Sequence, residues 1–410
     1  MPPAPRNAPS PTATSERPDT ILIAGAGIGG LTAALALARA GLPVHVFEDA
    51  ATPQTAGAGI QLSPNATRIL LALGLNERLT PGVVEPAAIR LRSAARGRVL
   101  AALPLDPGDG APYWVIHRGD LHRALLDAVA AIPGVTLSLG ARVTDFSIDA
   151  GAVRARVAAS GPDPGGHSCH DGAALIGADG LWSRLRTLVG GGGAPRFSGR
   201  CAFRAVVPAA QVAAGFRDRA VDVWLGPGGH VVHYPIRGGA AVNIVAVATD
   251  PWQSAAWSSD CATAAVLKRF AAPAWDGALR ELLTAPGHWQ RWALYDRAPL
   301  RSWGRGRVTL LGDAAHPMLP FLAQGAAMAI EDAAVLAAEL GRGRDDPEGA
   351  LRRYEAKRAP RTARVQGAAR SNDFSYHLRG PAALVRDAVL RSVPARRLIA
   401  RYHWIWRWQG

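Results

Sequence analysis

Glycines at positions 25, 27 and 30, with a carboxylate 18 residues further on at Glu48, are the first residues in this 410-residue chain whose types and spacing specify a chemistry. Between a strand and a helix, a G-x-G-x-x-G run turns tightly at its first glycine, admits a pyrophosphate at the second and packs helix against strand at the third. Gly25, Gly27 and Gly30 take those places, and the phosphates of a dinucleotide then lie at a helix N-terminus. A carboxylate at Glu48 accepts both hydroxyls of an adenosine ribose and repels a 2′-phosphate. A buried Gly/Ala helix or a membrane span would share this composition, but five glycines and a proline-flanked second strand argue against the span.

A second set of residues offers proton and ring chemistry. His230 and Tyr234 are four apart in a strand-like segment, so they share a face and would line a pocket that handles a phenolic proton; a hydrogen-bonded histidine on a half-buried sheet is the plainer alternative. His233, three from His230, falls on the opposite face, which disfavours a shared metal. His167, Cys169 and His170 read as a loop between strands with no matching second pair, so no metal site is expected. Gly312-Asp313 closes an apolar strand, where the aspartate would accept hydroxyls of a sugar-like chain. Gln324-Gly325 opens an Ala-rich helix whose amides would face an electron-rich ring system. Asp179-Gly180 closes another strand and points to the crevice where open α/β sheets bind ligands, or caps the next helix. Arg118, just before a helix, would reach a phosphate or a ribityl chain, with a surface position as the alternative. Asp332 reads as packing support for its helix.

These groups need elements to hold them. Apolar strands are expected at Ile21–Ala24, 44–47, 173–178 and 308–311, the first in a parallel sheet, with further strands at 135–139, 142–148 and 153–158 and antiparallel strands within 83–99. Helices are expected from 28 to Gly41, from Pro64 to near Gly74, from His117 onward, and after Gly325. Residues 195–300 change texture to short alternating strands, with 230–236 and 241–249 reading as a hairpin of a mostly antiparallel sheet. Hydrophobic content of 49% with 19% charged residues is a globular composition. The first 19 residues read as a disordered Pro/Ala/Ser/Thr tail rather than a signal peptide, so the cytoplasm is expected. Cys169, Cys201 and Cys261 fit reduced thiols. Of the formal +14, residues 341–410 carry +10, with 16 Arg or Lys against 6 Asp or Glu. That places the basic character on a C-terminal arm, read as a solvated arginine face with an anionic surface as the alternative.

GAGIGG at 25–30, GADG at 177–180 and GDAAH at 312–316, in this order, resemble the single-component flavoprotein aromatic hydroxylases with the para-hydroxybenzoate hydroxylase fold. HPMLPFLAQGA and GGHVVHYPIRGG are most similar to salicylate hydroxylases and 3-hydroxybenzoate 6-hydroxylases. The resemblance implies an α/β fold: a Rossmann-like FAD-binding domain (20–190, with inserted strands at about 83–100, returning at 301–345), an interleaved, mostly antiparallel substrate sheet (191–300) and a C-terminal helical region (346–410). It implies FAD held by Gly25, Gly27, Gly30 and Glu48, with Arg118 and Asp313 at the pyrophosphate and ribityl region and Asp179-Gly180 shared between FAD and nicotinamide handling. NADH or NADPH would reduce the flavin, O2 would be captured at flavin C4a as the hydroperoxide, and one oxygen would pass to an electron-rich ring. By the same resemblance His230, Tyr234 and Gln324 are the catalytic residues: base, orienter and support for the oxygen-transfer side. The basic balance suits an anionic substrate, and Arg204 or Arg237 would pair with its carboxylate, with surface exposure as the alternative for both. The ending YHWIWRWQG departs from its relatives' usual form, and Ala323 and Ala327 stand where relatives often have Gly and Asn. The expected partner is a small phenolic acid, with no nucleic acid, no integral membrane segment, peripheral contact by the Trp-rich tail as an option, and a monomer or homodimer. A membrane-surface hydroxylase or epoxidase of larger isoprenoids and a non-catalytic FAD-binding interaction protein are the alternatives.

Overall fold

Short apolar segments buried on both faces build the first sheet. The structure, a computed structural model, describes residues 19–52, 57–105, 110–149, 151–160, 166–252 and 256–410. All but the last residue of the expected tail, and most of the turn expected near 161–166, lie outside the described residues. Five strands pair in parallel in the order Val308–Leu310, Ala174–Gly177, Ile21–Ala24, Val44–Glu48, Val135–Leu139. The chain leaves Ile21–Ala24 toward one side for its second strand and returns on the other for Ala174–Gly177, which opens a crevice at the carboxyl ends of these strands. The helix Ile28–Arg39 follows at once, and all but three of its residues are buried. It is apolar all round because the sheet covers one side and the long helix Gly325–Arg342 the other.

A three-stranded antiparallel sheet, Ala141–Ile148, Val153–Ala159 and His167–Gly172, flanks this domain. His167, Cys169 and His170 are therefore strand residues and not the loop that sequence suggested. Polar edge strands lack the apolar run by which a strand is read. The His170 ring packs edge-on against His45 and Phe47.

The largest sheet has eight strands in the order Ser258–Cys261, Trp289–Asp296, Arg196–Pro208, Ala241–Thr249, Gly229–Ile236, Ala220–Gly226, Ala88–Ser93, Val99–Pro104. Every pairing is antiparallel except that of Ala88–Ser93 with Ala220–Gly226. The strands of residues 88–104 thus extend this sheet. Gly229–Ile236 pairs with Ala241–Thr249, setting His230 opposite Val247 and Tyr234 opposite Asn243. Strict alternation sends His230, Val232 and Tyr234 to one face and His233 to the other, where it meets Phe216 and Trp224. Burial among those rings holds His233 down to about 4.

The C-terminal arm opens with the 30-residue helix Pro347–Tyr376, which packs along Gly325–Arg342. Its arginines turn inward as well as outward. Arg358 is fully buried between Glu331 and Asp332, each at 2.6 Å. Arg364 lies 3.8 Å over the Trp404 ring, and Arg358 and Arg361 both cover Trp408. The aromatic tail is thereby folded onto the arginine-bearing helix. Among the described residues no helix is long and apolar enough to cross a membrane.

Candidate active site

The crevice at the ends of the parallel strands faces the His230 face of the large sheet, and a cavity of about 400 Å³ lies between them. Gly27, Arg118, Gly180, Gly312, Asp313 and Gly325 line its first wall. His230, Val232, Tyr234 and Arg204 line the opposite wall. A wider space of about 910 Å³ shares Arg118, Arg204 and Asp313 and runs out past Trp257, Trp292 and Tyr295.

The first wall fits a dinucleotide. A Cβ at Gly30 would sit 1.9 Å from the Gly25 carbonyl oxygen, and one at Gly25, whose φ is +108°, would sit 2.5 Å from that of Ala178. A Cβ at Gly27 would meet nothing within 4 Å. The turn is therefore closed by glycine below and open above, where Gly27 precedes the free amides of a helix with no acidic residue in its first turn. That is a cradle for an anion. Glu48 stands beneath it: its Oε2 accepts from the Ala26 amide at 2.7 Å and its Oε1 from Ala50 at 2.9 Å. The carboxylate fixes the turn and keeps lone pairs for ribose hydroxyls. Arg118 is the first residue of the helix Arg118–Ala130, not the residue before it, and its side chain is exposed to both cavities.

Asp179 is placed differently. Its Oδ2 accepts from the amides of Arg184 and Leu185, so it caps the short helix Arg184–Leu188, while Gly180 faces the cavity. Arg186 in that helix is buried, and its Nη1 donates to the carbonyls of Ala314 and Ala315 at 2.9 and 2.8 Å. That contact holds the Gly312–Ala314 turn, and Asp313 with it. The same turn is gripped from behind by Asp332, whose Oδ2 accepts from the Gly312 amide at 3.0 Å and pairs with His316 Nε2 at 2.5 Å.

Gln324 lies outside the main cavity and faces a smaller chamber of about 80 Å³ behind His230. Its Nε2 donates to Ser63 Oγ at 2.9 Å, and its Oε1 accepts from Asn65 Nδ2 at 3.3 Å. Asn65 also donates to Glu331 at 2.6 Å, which joins Gln324 to the buried Arg358 cluster. With both amide atoms engaged in the core, Gln324 sets the start of the Gly325 helix. Ala323 before it adopts a left-handed φ of 52°, the conformation that favours glycine at such a position.

On the opposite wall the histidine is not poised near neutrality as its residue type suggested. His230 is 4% exposed, and burial, with His377 and Arg200 adding to it, pushes its pKa well below the ordinary value. It is a neutral hydrogen-bonding group at physiological pH. Burial likewise pushes the Tyr234 phenol up, against the pull of Arg204 and Gln61. Arg204 is half-buried, lies 5.6 Å over the Trp292 ring, and has its Nε buried without a hydrogen-bond partner. Among the described residues it has no carboxylate partner. Arg237 stands away from the cavity at a turn, half exposed and 3.5 Å from Asp120. Sequence reasoning missed His377, whose Nε2 is 2.8 Å from His230 Nδ1, and Asp373, 2.8 Å from His377 Nδ1. An acid and a histidine at i and i+4 near a helix end were the available signal.

Comparison with known proteins agrees with this geometry. The family described as "FAD binding domain" matches residues 19–369. The chain is 40% identical to 3-hydroxybenzoate 6-hydroxylase 1 of Aquipseudomonas alcaligenes, over 95% of this chain and 97% of that one. It is also 40% identical to the 3-amino-4-hydroxybenzoate 2-monooxygenase PtnB3 of Streptomyces platensis, over 95% and 96%. The solved structure of a salicylate hydroxylase substrate complex superposes with a TM-score of 0.81 at 27% identity, covering 96% of each chain. A dinucleotide cradle, a facing pocket and full-length similarity to such enzymes converge: the chain belongs to the FAD-dependent aromatic hydroxylases of the FAD-binding-domain family, oxidoreductases that use NAD(P)H and O2.

Proposed function

We infer that this enzyme hydroxylates a small phenol bearing a carboxylate, in the space between the Gly312–Gly325 wall and the His230 strand. The observation that carries the reading is Arg204: a half-buried guanidinium without an acidic partner, on the same wall as His230 and Tyr234. A buried cation left unpaired is costly and is repaid by an anionic ligand. The two relatives described above are named for hydroxybenzoates, which carry both groups.

Bound FAD supplies the reduction by NAD(P)H and the activation of O2. The chain's own residues supply placement. Gly27 and the helix amides behind it take the pyrophosphate, Glu48 the ribose, and Arg118 and Asp313 the groups between pyrophosphate and ring. Arg204 anchors the substrate carboxylate, Tyr234 orients the phenol, and the neutral His230 accepts the phenolic proton, which makes the ring carbons ortho and para to that oxygen more nucleophilic. Val232, Val245 and Val247 keep water from the ring.

The test compares NADH and NADPH oxidation stimulated by 3-hydroxybenzoate and salicylate with that stimulated by 3-methylphenol, in wild type and Arg204→Gln. Wild type favours the acids. Arg204→Gln raises their KM on the order of 10- to 100-fold, the loss of about 1.5–3 kcal/mol of charge-assisted hydrogen bonding, and leaves the methylphenol unchanged. Equal losses for acid and non-acid would remove the carboxylate from the reading.

A further inference from the structure

A line of polar side chains leads from the His230 wall to the surface through residues that no part of the flavin chemistry uses. His230 Nδ1 is 2.8 Å from His377 Nε2, His377 Nδ1 is 2.8 Å from Asp373 Oδ1, and Arg200 Nε is 2.6 Å from the same oxygen. His230 and His377 are buried, while the Asp373 and Arg200 side chains are 25% and 17% exposed. The path therefore starts in the substrate cavity and ends in water. It joins two distant parts of the chain, the Gly229–Ile236 strand and the end of the Pro347–Tyr376 helix.

The direction of each hydrogen bond follows from the carboxylate end. An ionised Asp373 only accepts, so His377 carries its proton on Nδ1 and presents a lone pair at Nε2. His230 must then carry its own proton on Nδ1, which leaves its Nε2 lone pair for the cavity. Burial raises the Asp373 carboxyl, but His377 and Arg200 outweigh it and hold the group below the ordinary carboxylate range, so the chain is set in this sense at neutral pH. The rings of Phe321 and Tyr376 pack edge-on against His230, and Phe321 also packs against His377; together they fix the imidazoles. The charged and titratable groups facing the line are Arg200, Tyr376 and, over Gly228 at the outer end, Arg379.

The geometry points to a proton relay in which His377 and Asp373 are positioning residues that act through His230, connecting the substrate phenol to solvent. This rests on the phenol-hydroxylase reading above. The phenol O–H bond breaks toward His230 Nε2, the Nδ1 proton of His230 moves to His377 Nε2, and the Nδ1 proton of His377 moves to Asp373, which exchanges it with water. The substrate oxygen is left as phenolate. When the oxygenated ring loses its C–H proton and rearomatises, the oxygen regains a proton along the same line in reverse, and both imidazoles return to their starting tautomers. A histidine too weakly basic to hold the proton then suffices, because the proton passes through the line to water, with Asp373 as its outlet.

The experiment uses the FAD-loaded enzyme with 3-hydroxybenzoate and related phenolic acids, and compares wild type with Asp373→Asn, Asp373→Glu and His377→Gln. FAD retention is read by flavin fluorescence. Proton release on phenol binding is read by stopped flow with a pH indicator, and the pH profile of kcat is recorded. Asp373→Asn and His377→Gln keep FAD and an unchanged KM, slow proton release on the order of 10- to 100-fold, and move the acidic limb of the kcat profile to higher pH. Asp373→Glu restores much of the rate. Wild-type proton release and pH profile in both Asp373→Asn and His377→Gln would overturn the relay while leaving the hydroxylase reading intact. A wild-type enzyme that no phenol stimulates would overturn the reading beneath it and the relay together.

Discussion

At the scale of single residues, burial decides which groups do chemistry and which hold the others. His230 and Tyr234 face the cavity as strand spacing required, but both are pushed toward their neutral forms. Asp332 is the opposite case. Burial raises its carboxyl, but His316 and Arg358 overcome this and hold it down to about 2, against an ordinary 3.8. Because the folded value is depressed, the stability this carboxylate contributes is complete above about pH 4 and is lost as pH falls through about 2. Urea unfolding at stepped pH should register a loss of roughly 2 kcal/mol across that window, and Asp332→Asn should flatten it. Arg358→Met leaves Glu331 with Arg361 and Asp332 with His316 but removes the buried cation that joins the two carboxylates, and should cost about 3–5 kcal/mol at neutral pH by the same measurement. A variant as stable as wild type would show that the cluster is not a structural centre.

At the scale of elements, the glycine turn makes a sharper prediction because its glycines fail in different ways. Gly30→Ala drives a Cβ into the Gly25 carbonyl and should lower the melting temperature of the apo protein together with FAD affinity. Gly27→Val meets no protein atom at its Cβ and should leave apo stability near wild type while abolishing FAD binding, read by flavin fluorescence. Equal effects of the two would deny that the space above Gly27 belongs to a phosphate. These elements were legible in the sequence because each has a local signature: a period, a turn residue, a motif at fixed offset. The Ile21–Ala24 and Ile28–Arg39 unit, the Gly229–Ile236 hairpin and the Gly312-Asp313 turn all stand where their residues indicated. What was not legible depends on contacts between distant segments. Gln324 reads as a group for the reaction side until Ser63 and Asn65, about 260 residues away in sequence, take up its amide. Nothing in the local sequence marks Arg186, which is buried by its contacts with the Ala314 and Ala315 carbonyls, about 130 residues away. Asp373 and His377 lie in an arm whose arginine excess drew attention to charge and away from two residues that complete the line from His230.

At the scale of the whole molecule, two sheets of different kind meet across one cavity, and the C-terminal arm closes the arrangement from behind. The parallel sheet offers its crevice to one side of the cavity, and the large sheet offers the face that carries Arg204, His230 and Tyr234, where the substrate is proposed to be held by charge and by hydrogen bonds. The long helix bears Arg358 against the Gly325–Arg342 helix and Asp373 at the outer end of the histidine pair, so one element serves both halves. Of the tail tryptophans for which the sequence left a bilayer contact as an option, Trp404 and Trp408 lie against the arginines of that helix and Trp406 packs against Tyr113 and Tyr402. The most direct test of the central claim is the fate of oxygen. Purified, FAD-loaded enzyme is given NADH or NADPH under 18O2 with 3-hydroxybenzoate, salicylate and related phenolic acids, and the products are read by mass spectrometry. One acid is expected to accelerate NAD(P)H oxidation and to yield a hydroxylated product carrying one 18O atom for each NAD(P)H consumed. NAD(P)H oxidation that no phenolic acid accelerates, ending only in hydrogen peroxide, would contradict it.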